Sequence, residues 1–158
     1  MGIFSLLITV VVGIFIGSVR TQTSILANQR VAGEIRYVVE NMSRIGMLAR
    51  TDTDSSCLSE SGKTYEFTGD KFLFIDYREM CNVYELRNGA IYRKLIANKG
   101  SGDEIEHRLT SPEFIVEEFD VEIIDDPHER VLLFVQMGMD GSNVWLHAQT
   151  TFSKRTLK

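Results

Sequence analysis

The first twenty residues constrain the fold of this chain more than any other part of its sequence. They read MGIFSLLITVVVGIFIGSVR, and no charged side chain occurs before Arg20. Between Ile3 and Val19 the apolar residues are interrupted only by glycine, serine and threonine, which an apolar helix tolerates. Crossing the hydrocarbon core of a bilayer takes about 20 such residues. We therefore predict a membrane span from Ile3 to Val19, within a transmembrane half of a helix that covers residues 1–20.

Two alternatives to a retained membrane helix are weaker. A cleaved secretory signal needs a basic stretch before the apolar run and a small-residue cleavage site such as Ala-x-Ala, and neither occurs. A buried helix of a soluble domain needs a polar face, whereas this run is apolar on all sides. Within the run, Gly13 and Gly17 form a small-xxx-small pattern, which indicates either a packing site for another helix or the general frequency of glycine in membrane helices.

Apolar residues continue at helical spacing after Arg20. They recur three or four positions apart, with no proline or strong turn signal before the polar stretch TDTDSS at 51–56. The sequence therefore predicts one helix of nearly fifty residues, whose amphipathic half covers 21–50 and lies along a sheet. Gly33 and Gly46 are expected to cost this helix a little stability. The residues of the predicted apolar stripe are Ile25, Ala32, Ile35, Val39, Met42, Ile45 and Ala49.

The residues after the helix, 51–158, alternate as strands do. Asn88-Gly89 is the strongest short hairpin signal, and Gly69-Asp70, Asp126-Pro127 and Asp140-Gly141 are further turns. We predict an α+β fold in which an antiparallel sheet packs on the amphipathic half of the helix. The seven predicted strands are KTYEF, KFLFIDY, NVYEL, AIYRKLI, FIVEEFDVEII, RVLLFVQM and VWLHAQTTF.

The chain has two cysteines, Cys57 and Cys81. They stand just after the predicted helix and just before a predicted strand, so neighbouring segments of the sheet would bring them together. If the sheet lies outside a membrane, redox conditions permit a disulfide, which for a loop of this size contributes about 3 to 4 kcal/mol. Two buried free thiols are the alternative. No Cys-x-x-Cys or Cys-plus-His spacing indicates a metal site.

The distribution of charge argues against nucleic acid as a partner. The 17 basic and 22 acidic side chains all lie from Arg20 onwards, so the net charge of −5 belongs to the part after the apolar run. Neutralising phosphates requires clustered Lys and Arg side chains, and the sequence contains no such cluster. We therefore predict no nucleic-acid partner.

The sequence offers no set of catalytic residues, cofactor-binding residues or metal ligands. His107, His128 and His147 lie on separate predicted segments and are interpreted as surface or strand residues. The adjacent Glu117 and Glu118 should point to opposite faces of a strand, unlike a paired-carboxylate site. The stretch 140–143, DGSN, offers oxygens to a cation but is first of all a turn. We predict a protein that is not an enzyme and needs no cofactor.

An apolar N-terminal helix that continues into an amphipathic one, followed by an antiparallel sheet and a cysteine pair, resembles the type IV pilin family. This family includes the minor pilins and the pseudopilins of type II secretion. The segment GIFSLLITVVVGIFIG (Gly2 to Gly17) is similar to the text that follows the family's Gly-Phe-Thr-Leu-Ile-Glu-Leu processing motif. The segments SRIGMLAR (43–50), LTSPEFIVEEFDV (109–121) and QTTFSKR (149–155) also resemble parts of pilin-like proteins.

The resemblance implies a structural subunit, a minor pilin or pseudopilin, of a type IV pilus or a type II secretion-like filament. Its implied partners are other pilin or pseudopilin subunits, the lipid of the bacterial inner membrane and the assembly machinery. The chain would cross that membrane once with an extracytoplasmic domain, and would belong to a cell-surface or periplasmic filament once assembled. Gly13 and Gly17 would permit close approach of helices, and Leu6, Leu7 and Phe15 would make apolar contacts between them.

The family's processing motif is absent from the sequence, which has no Gly-Phe junction, no basic leader before it and no glutamate before Glu34. Neither cleavage nor the role of the motif's glutamate is therefore assigned to a residue here. We expect the sequence to start about ten residues inside the mature helix, which also accounts for its short apolar run. A subunit that inserts without being processed is the alternative.

Two further functions make different predictions. A single-pass membrane-anchored extracytoplasmic binding or adhesion domain that does not polymerise would insert normally but would not associate through Gly13 and Gly17. An anchored hydrolase would bring catalytic groups together in one pocket, and the sequence offers no candidate set for it.

Overall fold

The computed structural model of the protein describes residues 2–97, 104–125 and 128–155, and for residues 2–7 and Thr9 it describes the backbone alone. One long helix, α1 (Gly2–Gly46), precedes a series of antiparallel strands. The strands are β1 (Tyr65–Thr68), β2 (Lys71–Ile75), β3 (Met80–Arg87), β4 (Ala90–Ala97), β5 (Glu104–Arg108), β6 (Phe114–Ile124), β7 (Arg130–Met139) and β8 (Trp145–Ser153).

The strands form two sheets. One has five strands in the order β1-β2-β3-β4-β5, and the other has three in the order β6-β7-β8. The structure therefore confirms a long N-terminal helix packed on antiparallel strands, but divides the expected single sheet in two. Strand β5 was not predicted because its sequence, EIEHR, has a single apolar residue and all five residues are exposed at the sheet edge.

Two of the predicted hairpin turns hold the first sheet in register. Gly69 and Asp70 both have positive φ between β1 and β2, and so do Asn88 and Gly89 between β3 and β4. Two consecutive left-handed residues define the type I′ turn, whose twist matches that of the flanking strands. The turn predicted at Asp140-Gly141 joins β7 to β8, with Gly141 at a φ of 71°. The turn predicted at Asp126-Pro127 lies outside the described residues.

The second half of α1 packs on β7 and β8. Its buried stripe runs along one helix face and faces a β7 strand whose alternate residues Val131 to Met137 are completely buried. The predicted stripe was right for part of this face but wrong for Ile25 and Ala32, which are exposed. Helical periodicity fixes the spacing of buried positions but not where the sheet begins, and here burial starts at Val31. The fully or largely buried residues of the helix stripe are Val31, Ile35, Val38 and Met42.

An aromatic cluster joins the first sheet to the helix and to β8. Tyr65 and Phe72 stack with ring centroids 6.0 Å apart, and Phe152 of β8 meets Tyr65 edge-on at 6.0 Å. Phe74 and Tyr84 stack at 5.9 Å behind them. Because aromatic pairs add stability beyond the area they bury, this cluster helps to hold the two sheets together.

Polar contacts fix the helix against the sheets. The Tyr65 hydroxyl donates to the carbonyl of Gly46 at 2.8 Å, and the Tyr84 hydroxyl meets Asn41 Oδ1 at 3.3 Å. Glu34 Oε1 accepts a hydrogen bond from the backbone N–H of Ser111 at 2.6 Å. The partners of these contacts are 19 to 77 residues apart in sequence. Together the contacts set the rotation of α1 about its axis and its position along the sheets.

Gly46 ends α1 and lies against the aromatic cluster. A Cβ atom at this position would overlap the Phe152 ring, so glycine is required for the close approach of helix and sheet. The sequence indicated only a small cost in helix stability at Gly46, and this structural need could not be read from it. After Gly46 the chain turns, and Arg50 pairs with Ile75 in an isolated bridge.

Candidate functional site

The first half of α1 leaves the domain as a single exposed helix. Ile14 and Phe15 are 68% and 69% exposed, and no described residue from Val10 to Arg30 is buried. The helix is long and apolar enough within Val10–Gly46 to cross a membrane. The apolar part from Ile3 to Val19 is about 26 Å long at 1.5 Å per residue, slightly shorter than the roughly 30 Å of a hydrocarbon core, and the exposed helix continues to Arg30. Ile3, where the predicted membrane span begins, and Leu6 and Leu7 are described by their backbone alone.

Gly13 and Gly17 lie one turn apart on this exposed helix. A Cβ atom at either position would meet nothing within 4 Å, so no described part of the chain packs against them. Just beyond Gly17, the Thr21 hydroxyl donates to the Gly17 carbonyl at 3.0 Å and the Thr23 hydroxyl donates to the Arg20 carbonyl at 2.8 Å. These hydroxyls are satisfied by the helix itself, so they do not oppose an apolar environment.

The cysteine pair forms the predicted disulfide. Cys57 and Cys81 are bonded with their Cα atoms 5.4 Å apart, which ties the loop after α1 to strand β3. The bond closes a loop of 24 positions that contains β1, β2 and the first hairpin turn. It therefore restrains the unfolded chain as well as the position of the loop.

Asp52 organises the loop that carries Cys57. Its two carboxylate oxygens accept hydrogen bonds from the backbone N–H groups of Asp54, Ser56, Cys57 and Leu58, at 2.9 to 3.1 Å. Burial alone would raise the pKa of this carboxyl group, but the four hydrogen bonds together outweigh burial and lower the pKa from 3.8 to about 2. Asp52, in the polar stretch 51–56, thus supports the loop that carries Cys57 of the disulfide.

The residues weighed as catalytic or metal-binding are dispersed. His107 lies on β5, His147 on β8 and His128 between β6 and β7, and all three are exposed. Glu117 and Glu118 do not alternate as predicted, because a bulge after Val116 leaves both exposed. Within 2–97, 104–125 and 128–155, no group of three His, Cys, Asp or Glu side chains could hold a metal ion.

The turn at 140–143 is held by hydrogen bonds of its own. The backbone N–H and the hydroxyl of Ser142 each donate to the Met139 carbonyl at 3.1 Å. The backbone N–H of Val144 then donates to the Ser142 hydroxyl at 3.3 Å, and that of Asp140 donates to the Glu113 carbonyl at 2.9 Å. These are the contacts of a turn, as the sequence indicated.

Among the cavities of the described residues, two are formed where distant segments meet at α1 or just beyond its end. A groove of about 490 Å³ runs between the helix, at residues such as Ile35 and Val39, and strand β8. A second cavity of about 570 Å³ lies just beyond the end of the helix, between Thr51, Tyr77 and Lys154. Neither cavity was predictable from the sequence, because each is formed by segments more than twenty residues apart.

Comparison of the chain with protein-family models, with curated proteins and with solved structures finds no match.

Proposed function

We propose that this chain is a structural subunit, a minor pilin or pseudopilin, of a bacterial type IV pilus or type II secretion-like filament. The observation that carries the proposal is the division of α1 into two halves. Its second half is packed on the sheets, whereas its first half, apolar on all sides as far as Val19, is covered by no described residue of its own chain. A helix of this kind requires another apolar environment.

Lipid and neighbouring helices are the two environments that suit the exposed half. Before assembly the bilayer covers it, and in a filament the same surface packs against the apolar helices of other subunits. Gly13 and Gly17 support the second environment, since small residues one turn apart let helix backbones approach closely. Phe15, with most of its ring exposed, supplies a large apolar contact on the same helix.

The domain is suited to the outer surface of such an assembly. The contacts of Tyr65 with Gly46 and of Glu34 with Ser111 fix the sheets to the second half of α1, which leaves the first half free to pack against other helices. The disulfide between Cys57 and Cys81 supports an oxidising compartment, and thus a domain on the extracytoplasmic side of the inner membrane.

A filament fraction tests the proposal. In the bacterium that produces the chain, we expect mechanical shearing followed by high-speed sedimentation to recover part of it free of inner-membrane lipid. Assembly moves the exposed half of α1 from lipid to neighbouring helices, so the sheared particles should not need detergent. An integral inner-membrane protein of similar size serves as the control. Recovery of the chain only with the membrane marker would favour an anchored domain that does not polymerise.

A further inference from the structure

The cavity beyond the end of α1 is built from three separate segments. It is lined by the segment 48–51, by Tyr77 from the connection between β2 and β3, and by Lys154 and Arg155 after β8. Its volume of about 570 Å³ is within the range of small-molecule sites. Because it adjoins the last turn of α1, it lies at the end of the helix farthest from the apolar half.

The cavity concentrates positive charge on an acidic protein. Arg50, Lys154 and Arg155 line it, and no acidic side chain of the described residues does, although the whole chain carries a net charge of −5. Arg50 shares its charge with Glu79, to which it donates at 3.1 Å. In the described part of the chain, neither Lys154 nor Arg155 forms an ion pair with a carboxylate.

Lys154 is positioned by a neutral partner. It is half-buried, and its ammonium group donates to the Thr51 hydroxyl at 2.6 Å. The backbone N–H of Arg155 donates to the Met47 carbonyl at 2.9 Å, which fixes the segment next to the end of the helix. The Lys154 ammonium group has two further N–H donors, and no carboxylate of the described residues accepts from them.

One wall of the cavity is apolar. Tyr77 is about half exposed, and Leu48 and Ala49 also line the cavity. The Arg78 guanidinium stacks over the Tyr77 ring at 5.1 Å from its centroid, while Arg78 Nε donates to the Tyr77 hydroxyl at 2.7 Å. These two contacts orient the Tyr77 ring, which lines the cavity in the absence of a ligand.

We propose that this cavity binds a phosphate monoester, with the phosphate between Lys154 and Arg155 and its organic group against Tyr77. A doubly charged phosphate suits two basic side chains that have no carboxylate partner among the described residues, with Arg50 shared with Glu79 on the same lining. Guanidinium groups also match phosphate oxygens in a two-pronged geometry. The proposal is independent of filament assembly, because it uses none of the exposed residues of α1.

Equilibrium dialysis of the full chain in non-ionic detergent, with phenyl phosphate and inorganic phosphate as probes, tests the site. We expect phenyl phosphate to bind with one-to-one stoichiometry and at least about fivefold more tightly than inorganic phosphate, because Tyr77 contacts the ring. The double variant Lys154→Gln/Arg155→Gln should bind both probes at least about tenfold more weakly. Raising the salt concentration should weaken binding of both.

Two further variants distinguish the site from a general charge effect. Lys63→Gln/Lys94→Gln removes the same two charges from surface lysines that pair with Glu60 and Glu104, and should leave the affinity within about twofold. Tyr77→Ala should weaken phenyl phosphate alone. Equal affinities of the parent chain and the Lys154/Arg155 variant, or equal losses in both double variants, would overturn the proposal. So would equal binding of the two probes to the parent chain.

Discussion

Replacing Val12 and Phe15 with arginine is expected to release the chain from the membrane. Both side chains are exposed and lie near the middle of the apolar run. Each arginine at the centre of a spanning helix costs about 2.5 to 3.5 kcal/mol, so the pair costs roughly 5 to 7 kcal/mol of insertion free energy. We expect the membrane-bound fraction, measured after carbonate extraction and flotation, to fall from nearly all of the chain to under about a tenth.

The matched control places two arginines at the same spacing, but beyond the end of the apolar run at Val19. Thr21→Arg/Ser24→Arg alters exposed positions that follow Arg20, where a charge already occurs, and should leave the chain in the membrane fraction. If both double variants stay in the membrane, α1 does not insert through residues 3–19. If both double variants leave the membrane fraction, the loss of binding comes from the added charge and not from the depth of the substituted positions in the bilayer.

Breaking the disulfide is expected to cost about 3 to 4 kcal/mol of unfolding free energy. The value follows from the entropy that a closed loop of this length removes from the unfolded chain. Denaturant unfolding of Cys57→Ala/Cys81→Ala measures it directly, and a melting temperature lower by roughly 10 to 15 °C should accompany it. The exposed half of α1 plays no part in this effect, because the bond joins only the domain.

Chemical reduction gives the comparison for the alanine variant. The reduced parent chain should unfold within about 1 kcal/mol of the variant, since both lack the same loop closure. The hydrogen bonds of Asp52 do not compensate for loss of the disulfide. They join only residues between 52 and 58, whereas the disulfide joins residues 57 and 81. A loss under about 1 kcal/mol in both cases would show that the unfolded loop is already restrained by other means.

The architecture could be predicted from sequence to the extent that local patterns specify it. The apolar run, the helical spacing after it and the Asn88-Gly89 turn each correspond to an element of the structure. The division into two sheets was not predictable, because strand alternation carries no information about which strands pair across a long connection. Strand β5 was missed for a related reason, since an exposed edge strand has no buried face to leave a pattern.

Sites formed by distant residues were beyond the reach of sequence patterns. The sequence contains no cluster of basic residues, yet Arg50, Lys154 and Arg155 line one cavity because β8 returns to the end of α1. Gly46 shows the same limit, because its need for glycine arises from the ring of Phe152, over a hundred residues away. In contrast, the two cysteines flank consecutive segments, so their pairing followed from local order.

Photo-crosslinking at Phe15 tests most directly whether the exposed half of α1 is an assembly surface. With benzoylphenylalanine at this position, the full chain in its native membrane should form an adduct with the apolar helix of a second copy or of another subunit, identified by mass spectrometry. The same photo-crosslinker at Tyr77, on the connection between β2 and β3, should not capture such a helix. Adducts with lipid alone at Phe15 would contradict assembly through α1 and leave a membrane-anchored domain.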